Sequence, residues 1–333
     1  MRTEITNFYN KRGASFYYWL NKNINFYMDK YTMKKRKNQE MIDFIKKHVT
    51  ERSFERIIEC GSYLDLYFDE TLAKKRLNKA NFCGNRFCPM CSWRQTKKDA
   101  LKISIIMEFI KKELNLDFIF LTLTAPNVKS ENLNDEIKKY NLSFKKLTKR
   151  KEFMKISKGY VRKLEVTYNQ ERNDYHPHFH VIVVVNKSYF KSRDYLSKKK
   201  FLKLWQECMN DNSITQVDVR KIEMDDKKSI SEIAKYGAKD SDYLYSQDVF
   251  DVFYKALKGK QLITYSGAFK DGLNAFKEGL LDKYKEIDLT KYIYRICYSW
   301  NYQNANYIQM ELKELSEKER NKINKKLIDE IEI

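Results

Sequence analysis

The chain has 333 residues, 42% of them hydrophobic, so it can bury a sizeable core and is not a disordered polymer. Lys and Arg number 65 against 45 Asp and Glu, a net charge of +20 that favours a polyanionic partner, nucleic acid first among them. No apolar run reaches the length of a membrane span, the first twenty residues lack the apolar core of a signal peptide, and a cytoplasmic protein is expected.

Residues 1–50 form a basic, aromatic segment with 11 Lys/Arg against 4 Asp/Glu. Its densest cluster, Lys34, Lys35, Arg36 and Lys37, suits phosphate contacts. Residues 51–93 carry short, broken patterns and four of the six cysteines. Apolar residues at Leu101, Ile105 and Phe109, with Ile106 and Ile110, then predict a long amphipathic helix over 94–114, which closes a 51–114 module.

From 115 the pattern alternates. "DFIFLTLTAPNV" (117–128) predicts a strand stopped at Pro126, and 130–155 is helical in character. "KGYVRKLEVTYN" (158–169) and "HFHVIVVV" (178–185) predict two strands joined by the turn "QERNDYHP". A helix over 193–210, a strand over 214–223 and a helix over 227–240 follow. The order β-α-β-β-α-β-α points to an α+β, ferredoxin-like antiparallel sheet over 115–245, with helices on one face. Residues 246–333 look mainly helical.

Three of the four histidines fall within five positions, 176, 178 and 180. On a strand, His178 and His180 share a face, and two imidazoles so placed can hold one divalent ion with a third ligand from a neighbour. Glu165 on the preceding strand offers one, with Leu164 and Val166 turned to the other face. His176 competes for the place. Such a set suits Mg²⁺ or Mn²⁺ bridging to a phosphate oxygen.

A metal-polarised phosphodiester needs a nucleophile, and Tyr236 is the candidate. Glu232 lies four residues earlier, one helical turn away, as a general base, and Lys235 and Lys239 flank the tyrosine as phosphate contacts. Tyr243 is the rival nucleophile. The C-x4-C-x2-C run of Cys83, Cys88 and Cys91, with distant Cys60, suits a tetrahedral structural Zn²⁺; buried unligated thiols are the alternative.

In this order and spacing, "FLTLTAPNV", "HPHFHV" and "KYGAKDSDY" resemble the three motifs of rolling-circle plasmid replication initiators. More narrowly they resemble the Rep family of small Gram-positive plasmids, within the HUH endonuclease superfamily. "CGNRFCPMCSWRQ" and "LITYSGAFKD" are similar to that family's patterns too. The resemblance implies an HUH endonuclease domain over 115–245, with His178 and His180 as metal ligands. It implies Tyr236 as the nucleophile that forms a 5′-phosphotyrosine, and Glu232 as the residue that activates water at termination. The implied partners are the plasmid double-strand origin, single-stranded or hairpin at the nick, and a host helicase and polymerase. A single-tyrosine transposase, a mobilisation relaxase, and a non-catalytic DNA-binding regulator remain open on the sequence.

Overall fold

A computed structural model describes residues 29–222, 227–234, 238–324 and 326–330, without the side chains of residues 29, 227, 228, 231 and 232. The chain divides into two compact units, the described parts of Met1–Cys91 with Ile287–Lys326, and Ser92–Glu286 with Leu327–Ile333.

The first unit begins with α1 (Asp29–Ile45) and α2 (Glu51–Ile58). Its sheet takes β1 (Tyr63–Asp69) and β2 (Lys75–Ala80) from the early chain and β8 (Tyr292–Asn301) and β9 (Asn306–Glu314) from the late chain, in the antiparallel order β2-β1-β8-β9. Leu64, Leu66 and Phe68 alternate into the core of β1. Asp65, on the opposite face, is equally buried. It is tolerated there because Arg295 grips both of its oxygens at 3.0 Å and Asn78 donates at 2.8 Å. A short helix, α11 (Glu317–Ile323), is started by a capping box between Ser316 and Glu319.

The second unit holds the alternating region. Most of α3 (Pro89–Glu113) lies in it, followed by β3 (Leu116–Leu123), α4 (Leu133–Leu147), α5 (Lys151–Ile156), β4 (Gly159–Asn169) and β5 (Asp174–Asn186). Then come α6 (Lys198–Met209), β6 (Val217–Lys221), α7 (Lys227–Ala234), α8 (Asp240–Tyr243), α9 (Gln247–Leu257), β7 (Ile263–Gly267) and α10 (Ala268–Lys277). The sheet order is β6-β3-β5-β4-β7, antiparallel throughout. Without β7 this is the ferredoxin-like order that the β-α-β-β-α-β succession predicts, and β7 extends it beside β4.

Helices cover both faces of this sheet, not one. Phe118, Phe120, Val161, Ile182 and Val184 pack with residues of α3, α7 and α10. On the other face, Phe179 meets Tyr140 and Phe144 of α4, and Tyr175 meets Phe253 of α9. The cause lies in β5, where Val181 to Val185 are all fully buried. An apolar run with no polar face must be covered on both sides. At about 1.5–3 kcal/mol for each buried Val or Ile, β5 is the anchor of the unit.

β5 also starts earlier than its sequence suggests. Pro177 lies inside it, paired with Val166 of β4. It is accommodated because β3 ends at the Leu123–Phe179 pair, so no β3 residue faces Pro177. After residue 245, in the stretch expected to be mainly helical, the chain keeps helices α9, α10 and α11 and adds three strands, β7, β8 and β9.

Candidate active site

β4 and β5 bring Glu165, His178 and His180 to one spot. Glu165 is directly across from His178, and Lys163 and Thr122 flank His180 on its two sides. The Nε2 atoms of His178 and His180 lie 3.0 Å apart, and Glu165 Oε2 is 3.0 Å from His180 Nε2 and 3.4 Å from His178 Nε2. Ligand atoms about 3.0 Å apart match neighbouring positions around a cation bound at about 2.1 Å. The far nitrogens are oriented from outside, His178 Nδ1 by the His176 carbonyl at 3.3 Å and His180 Nδ1 by Thr122 Oγ1 at 3.4 Å. That arrangement turns both Nε2 atoms toward the carboxylate, as metal-ligating imidazoles require.

All three side chains are about nine-tenths buried. Burial by itself would raise the Glu165 carboxyl, but hydrogen bonds from His178 and His180 and the charge of Lys163 outweigh it and hold the group well below the usual carboxylate range. Burial also lowers His180, so its imidazole is neutral and able to ligate at pH 7. The donor set of two imidazoles and one carboxylate fits a divalent cation with positions left open.

His176, the competing third ligand, stands outside this set. Its ring stacks on His178 at 5.2 Å between centroids, and only its carbonyl serves the site. Lys163 was missed in the sequence. It is fully buried, two residues before Glu165 and therefore on the same strand face, which is the signal that alternation offered.

α7 packs on β4 and β5, and its Ile230, Ile233 and Ala234 join the core beneath it, on the sheet face that carries the two histidines. Glu232 belongs to α7, though its side chain lies outside the described residues, as do Lys235 and Tyr236 altogether. α8, beyond them, packs on β4 again. Lys239 is exposed. Tyr243 is not available as a nucleophile: it is fully buried between Phe250 and Phe253.

In the first unit, Cys60, Cys83, Cys88 and Cys91 converge, with Sγ atoms within 4.8 Å of one another. Neighbouring sulfurs are 3.5–3.6 Å apart. That is far beyond a disulfide and close to the edge, about 3.8 Å, of a tetrahedron of thiolates around Zn²⁺. Hydrogen bonds from the other three thiols, helped by the Gly84 N–H, pull Cys91 far below the ordinary thiol value, while burial pushes Cys88 up. Asn38 donates to Cys88 Sγ at 3.4 Å, and Lys35 donates to Asn38 at 3.1 Å and to the Ile58 carbonyl at 2.7 Å. Lys35 is therefore not a surface phosphate contact. It is fully buried behind the thiols. Lys34 and Lys37 are half-buried, and exposed Arg36 donates to the Ala305 carbonyl at 2.9 Å.

The family model described as replication protein (Rep_1) matches residues 74–308. A "Protein rep" of Staphylococcus aureus is 51% identical over 221 residues, which cover 66% of this chain and 96% of that protein. A "Protein rep" of Streptococcus pneumoniae is 35% identical over 66% of this chain and 71% of its own length. One from a Bacillus species is 34% identical over 65% and 78%. No solved structure matches.

Proposed function

The chain belongs to the replication-protein family of Gram-positive plasmid Rep initiators, and from that membership we propose that it nicks and rejoins one strand of a plasmid double-strand origin during rolling-circle replication. The observation that carries the proposal is the convergence of Glu165, His178 and His180 on the sheet face where α7 packs. Held by these three side chains, Mg²⁺ or Mn²⁺ would supply Lewis-acid polarisation of the scissile phosphodiester.

Tyr236 attacks phosphorus through its phenol oxygen. The bond to the 3′ oxygen breaks, the 5′ phosphate stays on the tyrosine, and the 3′-OH primes synthesis. Glu232, four residues before Tyr236, accepts the phenol proton and at termination activates water on the regenerated site. The second 3′-OH then displaces the tyrosine and closes the circle. Residues 115–245 are the nicking domain in this scheme. Lys235 and Lys239 contact phosphate beside the tyrosine, and Lys34, Arg36 and Lys37 extend the contacts from the N-terminal segment. Cys60, Cys83, Cys88 and Cys91 hold a structural Zn²⁺. A host helicase and polymerase take over at the nick in the cytoplasm.

The test uses a single-stranded origin oligonucleotide with Mn²⁺ or Mg²⁺, read on denaturing gels and by intact mass for wild type and Tyr236→Phe. Expected is a metal-dependent nick with a protein–DNA adduct, both absent in the variant. An adduct that persists in Tyr236→Phe would move the nucleophile elsewhere. No nick in any origin strand would leave a DNA-binding protein without this chemistry.

A further inference from the structure

The chain between β5 and α6 serves neither metal-ligand group. Residues 187–203, this loop with the first turns of α6, hold seven Lys and Arg against Asp194 alone, and all seven are exposed. Asp194 lies 3.9 Å from Lys155 of α5, so the positive surface continues onto that helix.

The same loop presents two aromatic rings. Tyr189 is buried beneath it, and its hydroxyl donates to the Leu196 carbonyl at 3.3 Å and accepts from the Leu196 N–H at 3.2 Å. These two bonds pin the loop's start to its end. Phe190 and Tyr195 pack on Tyr189 with centroids 5.0 and 5.5 Å away, yet remain 37% and 41% exposed. Their own centroids are 6.2 Å apart. The end of the loop is fixed as well, because Ser197 caps α6 by accepting from the Lys200 N–H.

Isolated exposed rings are ordinary on a protein surface. Two rings held outward on a pinned loop among cations are different, because they offer flat faces and positive charge together. Unpaired nucleic acid presents the matching pair of features, stackable bases and phosphates, whereas duplex DNA keeps its bases stacked inside. We propose that residues 187–203 form a second single-stranded DNA contact, in which Phe190 and Tyr195 stack on bases and Lys198, Lys199 and Lys200 hold phosphates.

The contact is remote from the nicking site. It follows the other end of β5, and the six residue steps from His180 to Asn186 span about 20 Å. DNA held there is retained without being presented to the metal ligands. The inference therefore does not require the nicking chemistry, and its test can be run without it.

Full-length protein is titrated by fluorescence anisotropy against a mixed-sequence single strand of about 30 nucleotides, and against the duplex of the same sequence, without added Mg²⁺ or Mn²⁺. Phe190→Ala/Tyr195→Ala should weaken single-strand binding about tenfold and leave duplex binding within about twofold. Phe190→Trp/Tyr195→Trp, which restores the flat faces, should recover it. Gln at Lys198, Lys199 and Lys200 should lower the salt slope for the single strand by about 2. Thermal unfolding confirms that each variant is folded. Wild-type single-strand affinity in the alanine variant overturns the proposal. So does an equal loss on single strand and duplex, which means a plain cationic surface. Unchanged DNA binding with lost binding to polyglutamate would reassign the loop to an acidic protein partner.

Discussion

The Glu165 carboxylate is 7% exposed and faces two imidazole nitrogens, with the buried Lys163 beside it on the same strand face. Glu165→Gln keeps the shape and removes the charge, and His178→Ala removes a donor atom. Each should reduce Mn²⁺ affinity, read by calorimetry, by more than a hundredfold and abolish metal-dependent nicking. Thr122→Val strips only the outer partner of His180, so a loss of about tenfold to a hundredfold is expected. His176→Ala should cost less than either, because the group that orients His178 is the His176 backbone carbonyl, which survives the substitution. A His176→Ala loss as deep as His178→Ala would make His176 a ligand. Lys35 plays a comparable part at the cysteines, where a positive charge is buried behind a group that carries negative charge when ligating. Lys35→Met should speed zinc loss to a chromogenic chelator about tenfold; an unchanged rate would reduce Lys35 to packing. In the sequence the run at 34–37 reads as one basic cluster. Burial separates Lys35 from the rest, and that separation depends on which face of α1 meets the thiols, which charge alone does not encode.

At the scale of elements, the central hairpin was the most legible part. β-branched residues mark β5, alternation assigns Glu165 and His178 to one face, and the structure pairs those two residues. Helices on both faces follow from the same unbroken apolar run, once it is taken as buried twice. β8 and β9 were missed although β8 carries a signal, since in "YIYRICYSWN" Tyr292, Tyr294, Ile296, Tyr298 and Trp300 alternate as buried positions. Its partner β1 lies far earlier in the chain, where no local signal reaches. The segment "LITYSGAFKD" acquires a physical reason in the structure. Gly159 and Gly267 pair across β4 and β7 with φ of 148° and 51°. A Cβ at Gly267 would meet the Lys158 carbonyl oxygen at 2.4 Å, and one at Gly159 would meet the Ser266 oxygen at 2.4 Å. Both contacts are backbone and cannot swing away. Gly267→Ala should therefore cost about 2–4 kcal/mol of stability in denaturant titration and loosen β7 and α10, seen as faster amide exchange there. A cost below about 0.5 kcal/mol would mean that the edge adapts.

At the scale of the whole molecule, the first unit is assembled from chain before residue 92 and after 286, so a reading in consecutive segments, 1–50, 51–114, 115–245 and 246–333, has no means of finding it. The cysteine group belongs to that unit, and the Glu165–His178–His180 group to the other. Their donors differ in kind. Four sulfurs favour a soft or borderline ion and close its coordination sphere, while two imidazoles and a carboxylate leave positions open and exchange ions more readily. Dialysis of the purified chain against EDTA at neutral pH should abolish nicking while elemental analysis still finds a single zinc ion per chain. Mn²⁺ or Mg²⁺ alone should then restore activity. Cys83→Ser should do the reverse, with zinc absent from the protein and the melting of the first unit shifted down, because ligand binding and folding share one free energy. If EDTA removed zinc together with activity and Mn²⁺ failed to restore it, the two groups would not be independent metal sites. If the purified wild type held no zinc, the four cysteines would be packed thiols, and the 3.5–3.6 Å spacing of their sulfurs would need another cause.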